Sequence, residues 1–289
     1  MSLAGVTSGA LSAASRKLAP GKIRASLSHA APGVLTTIGV LIAWQAATLW
    51  ASSIFFPTPV DILLRAKELW LSGPASRLWM TEGVFNDVIP SLGRMMSGWI
   101  IAALLGITVG VALARSRVLS DLLDPCLQFL RAIPGPALIP IFLILLGTES
   151  TMRISLIAFS SVWPVLLNTI EGVRTVEPGH LSTAKSFRIP RSAQMFRIII
   201  PAAMPKIMAG LRVSLAIALI LMVISEMIAA TSGIGYVLSF SQQSFLLTDM
   251  WAAIVLLSLL GFTLNLIFSQ IERRVLRWHA GARQRTARD

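Results

Sequence analysis

The stretch EGVRTVEPGHLSTAKSFRIPRSAQMFRIIIPAAMPKIMAGLR, Glu171 to Arg212, is the longest polar interruption between two strongly apolar regions of the chain. It carries Arg174, Lys185, Arg188, Arg191, Arg197, Lys206 and Arg212 against Glu171 and Glu177. Short loops this rich in Lys and Arg resist translocation, so the segment is expected on the cytoplasmic side of a bilayer. It also reads as ordered. Pro178 can open a helix, Leu181, Ala184, Phe187 and Arg188 recur at helical spacing, and Pro190 stops the run. A short amphipathic helix presented into the cytoplasm between two membrane spans is a docking element.

The composition of the whole chain agrees with membrane spans on either side. Of 289 residues 55% are apolar and only 13% are charged, against about a quarter charged in soluble domains. The net charge of +12 does not indicate nucleic acid, because the basic residues lie at segment ends rather than along one polar face. The lone cysteine, Cys126, excludes an internal disulfide framework and any CxxC metal or redox motif.

Read in order, Met1 to Pro32 has four basic residues, no acidic one and no compact signal-peptide core, so it is expected to be a cytoplasmic, disordered tail (1–32) or an amphipathic surface helix. Residues 33–272 form the expected transmembrane region, with a cytoplasmic loop at 174–206 and a basic tail at 273–289. Six spans are predicted: Gly33–Phe56, Val88–Ala114, Pro125–Leu146, Met152–Val173, Ile207–Ala230 and Met250–Ile271. A short helix at Val60–Leu71 lies outside the membrane. Gly106 and Gly110 in the second span allow close helix packing. An even number of spans puts both termini on one side. That side holds eighteen Lys and Arg in its loops and tails and the other side four, which sets the termini and the central loop in the cytoplasm.

Catalytic chemistry is not legible. No GxxxxGK[ST] phosphate loop and no GxSxG elbow occur, and His29, His180 and His279 are scattered through polar segments. The chain is therefore not expected to be an enzyme, nor to hold a metal or cofactor of its own. The informative residues are polar groups within apolar runs. Glu226, in LMVISEMIAA, either faces an aqueous cavity as a pathway or gate residue, or pairs with an arginine such as Arg94 or Arg131. Arg131, in FLRAIPGP, either supplies positive charge to a pathway for anions, or snorkels or pairs with Asp121 or Asp124. Pro134 frees backbone carbonyls where the third span can bend around a pore. Gln128 and Asn168 line a path or hydrogen-bond between helices. Gly233 and Gly235, in TSGIGYVLSF, suit a tight turn into a short re-entrant helix on the outer side.

The polar stretch also resembles the coupling loop of permease subunits of ATP-binding-cassette importers, whose pattern is Glu-Ala-Ala, three residues, Gly, nine residues, then Ile-x-Leu-Pro. Here it falls on Ser182, Thr183 and Ala184, on Arg188, and on Ile198, Ile200 and Pro201. Spacing is kept, while Ser182, Thr183, Arg188 and Ile200 depart from the pattern. The segments Leu122–Gly147, Trp163–Pro178 and Pro201–Leu238 are similar to the branch that imports nitrate, sulfonates and taurine. The resemblance implies an all-α integral membrane protein of the type I importer permease fold, in a bacterial inner membrane. It implies two ATPase subunits that bind ATP and Mg and dock at Leu181, Ser182, Thr183, Ala184, Phe187, Arg188 and Pro201. It further implies a second permease copy and a periplasmic or lipoprotein substrate-binding protein. The altered motif raises the alternative of a non-identical permease partner. Contact of the basic loop with membrane lipid, an ion-coupled carrier and a membrane scaffold are the competing readings.

Overall fold

A computed structural model describes residues 20–51 and 54–278. Among them the chain forms eleven α-helices, with short 3-10 and π segments. The helices are α1 (Pro20–Ala51), α2 (Pro59–Leu71), α3 (Ile89–Arg115), α4 (Arg117–Ala132), α5 (Ile139–Leu146) and α6 (Ser150–Arg174). They continue with α7 (Pro178–Ser186), α8 (Arg191–Gln194), α9 (Ile200–Ala229), α10 (Ile234–Gln243) and α11 (Leu247–Val275).

Residues up to Val60 form one compact unit and the remainder another. In the first, α1 begins at Pro20, inside the segment expected to be a tail; residues 1–19 lie outside the described residues. Proline suits a helix start because its missing N–H would have no partner there. Pro32 is accommodated inside the helix, with Thr36 Oγ1 donating to its carbonyl at 2.8 Å. The expected span Gly33–Phe56 is helical as far as Ala51, and residues 52–53 lie outside the described residues.

In the second unit four helical stretches are long and apolar enough to cross a membrane: Val84–Arg115, Ser150–Arg174, Arg191–Ala229 and Leu247–Val275. They correspond to the second, fourth, fifth and sixth expected spans. The third, Pro125–Leu146, is two helices, α4 and a Gly135–Leu146 stretch containing α5, bent by 88°. Pro134 is the cause. The residue before a proline is held out of the α region, and Ile133 has φ −75° and ψ 121°. Two spans also begin earlier than expected, at Val84 and Arg191, each through a π-helical turn followed by Ile-Pro. Pro90 and Pro201 cannot donate to the preceding turn, and the wider π turn closes instead through Ile89 N–H to Val84 O and Ile200 N–H to Met195 O. The polar loop is accordingly shorter than residues 174–206.

Helices α3 and α6 run parallel at very close range. The face of α3 made by Gly98, Ala102, Gly106 and Gly110 is buried. A Cβ on Gly98 would come 2.8 Å from Ile157, on Gly106 2.8 Å from Val165, and on Gly110 2.8 Å from Thr169. The three contacts keep one register along both helices, every second turn or every turn. Antiparallel α9 packs on the other flank of α6, where Gly210 lies against Pro164 and Asn168. Met95, Leu156, Ile157, Met208, Ala218 and Met222 close the core among α3, α6 and α9. At one end Trp70 of α2, Val88 and Ile234 form a second cluster that holds α2 and α10. At the other, Val173, Val176, Ile199, Ala203 and Ile207 hold the start of the polar loop.

Gly106→Leu should therefore lower stability by about 1–3 kcal/mol, the usual cost of overpacking. Gly93→Ala on the same helix, where an added Cβ meets nothing within 4 Å, should be neutral or stabilising by up to about 1 kcal/mol. Thermal unfolding of both variants in one detergent checks this, and equal midpoints would contradict the packing argument.

Candidate functional site

Three groups of functional side chains are built on this scaffold. The first is a buried charge clamp where α3, α9 and α10 meet. Glu226, three residues before the end of α9, is fully buried. Arg94 Nη1 donates to its Oε1 at 2.8 Å, and Ser91 Oγ lies 2.8 Å from both carboxylate oxygens. The backbone N–H of Gly235 donates to Oε2 at 3.2 Å. Around this carboxylate the turn after α9 is fixed. Ile234 N–H donates to Ser91 Oγ at 3.0 Å and Gly233 N–H to Asp87 Oδ1 at 2.8 Å. Arg94 also reaches Ser150 Oγ at 3.1 Å and Ser232 Oγ at 3.3 Å. Gly233 has φ +121°, a conformation that side chains disfavour. Arg153 adds a tie, its Nη2 donating to Thr148 O at 2.9 Å and Ala229 O at 2.8 Å. Of the alternatives for Glu226, the geometry is that of the carboxylate paired with Arg94. An ionised group so deep in apolar surroundings holds its charge only with such partners.

Ser91 and Asp87 were not singled out from sequence. Their signal was available, because Asp87, Ser91 and Arg94 recur at steps of four and three and so share one face of an apolar helix. A second unforeseen tie lies nearby. Arg65 of α2 grips Asp249 of α11 with both guanidinium edges, Nε to Oδ1 at 2.6 Å and Nη2 to Oδ2 at 3.0 Å. Those hydrogen bonds, with a smaller contribution from Glu68, push the Arg65 guanidinium above its ordinary pKa.

The second group is helix α7 and its turn. Ser182, Thr183 and Lys185 are exposed, Ala184 is buried, and Phe187 is 77% exposed. The side chain of Leu181 lies outside the described residues. The helix ends on Phe187, and Ile189 N–H returns to Ala184 O at 3.0 Å across Arg188, whose φ is +52°. Arg188 thus occupies a left-handed turn position that favours glycine. Gln194 Nε2 donates to Ile189 O at 2.8 Å, joining the turn to the next helix. Pro201 lies in the first turn of α9, outside α7 itself.

The third group lies along α4 and α6. Gln128 and Arg131 line a cleft of about 140 Å³ with Asp124, Trp163 and Arg174 among its other walls. Gln128 Nε2 donates to Asp124 Oδ2 at 2.6 Å. Pro134 caps the turn that follows, exposed. Asn168 faces α9 instead, its Nδ2 donating to Pro164 O at 2.8 Å within α6. The structure therefore brings Arg131 and Gln128 together and leaves Glu226 and Asn168 elsewhere in the bundle. Among the described residues no group of three His, Cys, Asp or Glu side chains could hold a metal ion.

Residues 102–277 match the family described as binding-protein-dependent transport system inner membrane component. The chain is 33% identical over 262 residues to the taurine transport system permease protein TauC of Escherichia coli, covering 89% of this chain and 94% of that one. It is 31% identical over 248 residues to a putative aliphatic sulfonates transport permease, SsuC, of Bacillus subtilis, covering 85% and 87%. A bicarbonate transport system permease, CmpB, of Synechococcus elongatus is 31% identical over 243 residues, covering 83% and 87%. Among solved structures, an inward-facing form of the MetNI methionine ABC transporter superposes with a TM-score of 0.55. It covers 67% of this chain and 94% of that one at 17% identity, and so speaks for the fold.

Removing the charge of Glu226 leaves Arg94 without its anion. Glu226→Gln should cost about 3–5 kcal/mol, whereas a Glu226→Leu, Arg94→Leu double variant should cost clearly less than the sum of its single changes. Unfolding midpoints of the four proteins decide. Arg188→Gly relieves a left-handed arginine and should stabilise the turn by about 0.5–1 kcal/mol. Slower hydrogen exchange at Arg188 and Ile189 is the expected readout, and faster exchange would contradict it.

Proposed function

The chain belongs to the family of binding-protein-dependent transport system inner membrane components, the permease subunits of bacterial importers, and from that premise we propose what it carries and how it is driven. It is a multi-pass membrane permease, a transport component and not an enzyme. Its cargo is a small anion of the sulfonate, taurine or bicarbonate kind. The observation that carries this reading is identity of 31–33% to permeases named for those substrates, over more than four fifths of the chain. Nitrate, expected from the sequence pattern, is of the same chemical class.

Energy comes from outside the chain. Two ATPase subunits, holding ATP and Mg themselves, dock on α7 and its turn, with Ser182, Thr183 and Phe187 as the exposed contact surface. Burial of Ala184 supports this arrangement, since it anchors the helix while its other face stays free. An external binding protein delivers the substrate to a pathway made by two permease subunits. The termini and α7 lie in the cytoplasm, as the distribution of Lys and Arg requires. ATP-driven closure of the ATPases displaces α7, and the close-packed α3, α6 and α9 respond as one body, rocking the pathway between inward-open and outward-open states.

Co-expression with the neighbouring genes and native mass spectrometry of the tagged protein test the assembly. Two copies of this chain with two ATPases are expected; one copy with a different permease would instead explain the altered motif. Phe187→Asp should reduce ATPase recovery by about tenfold or more, as loss of an exposed aromatic anchor does. Ser182→Glu with Arg188→Gly should preserve or strengthen it. Recovery of the chain alone in several detergents would overturn the docking assignment.

A further inference from the structure

Helix α4 is turned the wrong way for a helix facing an aqueous medium. Val118, Leu122 and Phe129 are 70–80% exposed along one side. On the other side Ser120, Asp124, Gln128 and Arg131, at steps of four, four and three, line the cleft against α6. In a chain that spans a membrane this puts the polar stripe inward and the apolar stripe outward. Polar side chains directed at a neighbouring helix usually satisfy one another there. These do so only in part. Gln128 donates to Asp124, and Arg174 Nη2 to Ser120 Oγ at 2.6 Å. Among the described residues Arg131 forms no ion pair, so neither Asp121 nor Asp124 takes up its charge. From the α6 side the cleft is lined by Trp163, whose indole N–H is shielded from solvent and has no acceptor.

We propose that the cleft between α4 and α6 is a binding stop for a monovalent oxyanion on its way through the permease, held by Arg131, Arg174 and the Trp163 indole N–H. The proposal rests on the anion-importer reading and deepens it. Three kinds of donor converge on the space: two guanidinium groups, an indole N–H and the Ser120 hydroxyl, whose proton is free once its oxygen accepts from Arg174. The volume of about 140 Å³ equals roughly four waters of liquid, enough for a small oxyanion head. The charge count sets the valence. Arg131 and Arg174 against Asp124 leave one net positive charge, which a monoanion neutralises and a dianion overshoots. Asp124 is therefore a selectivity residue. It keeps the site from holding a doubly charged anion too tightly, and Gln128 keeps its carboxylate turned along α4. Arginine suits the role because its planar fork matches two oxygens of one anion.

The test uses the full-length chain in lipid nanodiscs, titrated with methanesulfonate and with sulfate, and followed by tryptophan fluorescence. Trp163→Phe identifies the responding indole. The expected result is a saturable change with methanesulfonate that disappears in Trp163→Phe and moves about tenfold to weaker affinity in Arg131→Gln. Sulfate should bind about tenfold more weakly than methanesulfonate to the unaltered protein, and Asp124→Asn should close most of that gap. Arg131 and Asp124 are both exposed in the cleft, and unchanged unfolding midpoints will show that the variants are folded. No saturable change, or equal affinity in Arg131→Gln, would overturn the site. Equal binding of the two anions by the unaltered protein would overturn the valence argument. Neither result bears on ATPase recovery, so the importer reading stands or fails on its own experiment.

Discussion

The close approach of α3 to α6 is the constraint on which the rest of this structure depends. In an apolar medium burial of hydrocarbon gives little drive to helix association, and van der Waals contact between backbones must supply it. Gly98, Ala102, Gly106 and Gly110 make that contact possible, placing α6 residues at Cβ distance from the α3 backbone for three turns. Because the two helices run parallel, the chain between them must return the whole length of the bundle. The bent pair made by α4 and the Gly135–Leu146 stretch does so. A straight return helix could pack along its length. The 88° bend at Pro134 instead seats the turn at Gly135, where an added Cβ would come 2.5 Å from Ser160 and 3.0 Å from Leu221. The bend therefore leaves the α4 half free to stand off α6 and open a cleft.

Glu226 solves a different problem. A helix that ends inside an apolar environment must satisfy the backbone groups of the turn that follows, or it cannot end there. The carboxylate accepts from Gly235 N–H, Ser91 accepts from Ile234 N–H and Asp87 from Gly233 N–H. One buried ion pair thus supports a sharp reversal between α9 and α10 without water. The cost of desolvating Glu226 is offset by four donors and by the proximity of two arginines, Arg94 and Arg153. This makes the end of the bundle near α10 stiff. The opposite end has only half-exposed pairs, Lys206 with Glu171 and Arg212 with Glu272, and those are individually weak.

Much of this was legible in the sequence. The apolar runs, the basic loop and the glycine pair at Gly106 and Gly110 follow from composition and period, which membranes enforce more strictly than water does. The helix at α7 followed from Pro178 and Pro190 because prolines punctuate locally. The bend at Pro134 was foreseen as a possibility, but its angle was not, since proline fixes where a helix breaks and neighbouring side chains fix where it goes. The π turns before Pro90 and Pro201 were missed for the reverse reason. Proline there reads as a helix stop, yet a one-residue widening absorbs the missing N–H and lets the helix continue. For Glu226 the sequence left two readings open, and a three-dimensional partner was needed to choose between them. For Arg131 the same logic ran the other way. The nearby Asp124 was an available partner by spacing, and only the geometry shows that Gln128 takes it.

The two ends of the bundle are joined by a single element. The helical stretch Arg191–Ala229 has 39 residues, about 58 Å at 1.5 Å per residue. It begins where Gln194 holds the α7 turn and ends just beyond Glu226. A displacement of α7 is therefore imposed on the same helix that carries the clamp. Whether it arrives there depends on stiffness in between. The π turn at Met195–Ile199 with Pro201 and Pro205 lies close to the α7 end, so any give in the helix is concentrated there, before α9 enters its packing against α6. Beyond Ala203, which is fully buried, side chains of α9 interlock with α6 as far as Met222. Close-packed interfaces of that kind shift as units and do not deform smoothly. The flexible joint is thus next to the proposed docking surface and the rigid segment next to the clamp. That order suits a lever, in which the input can swivel without loosening the body it moves.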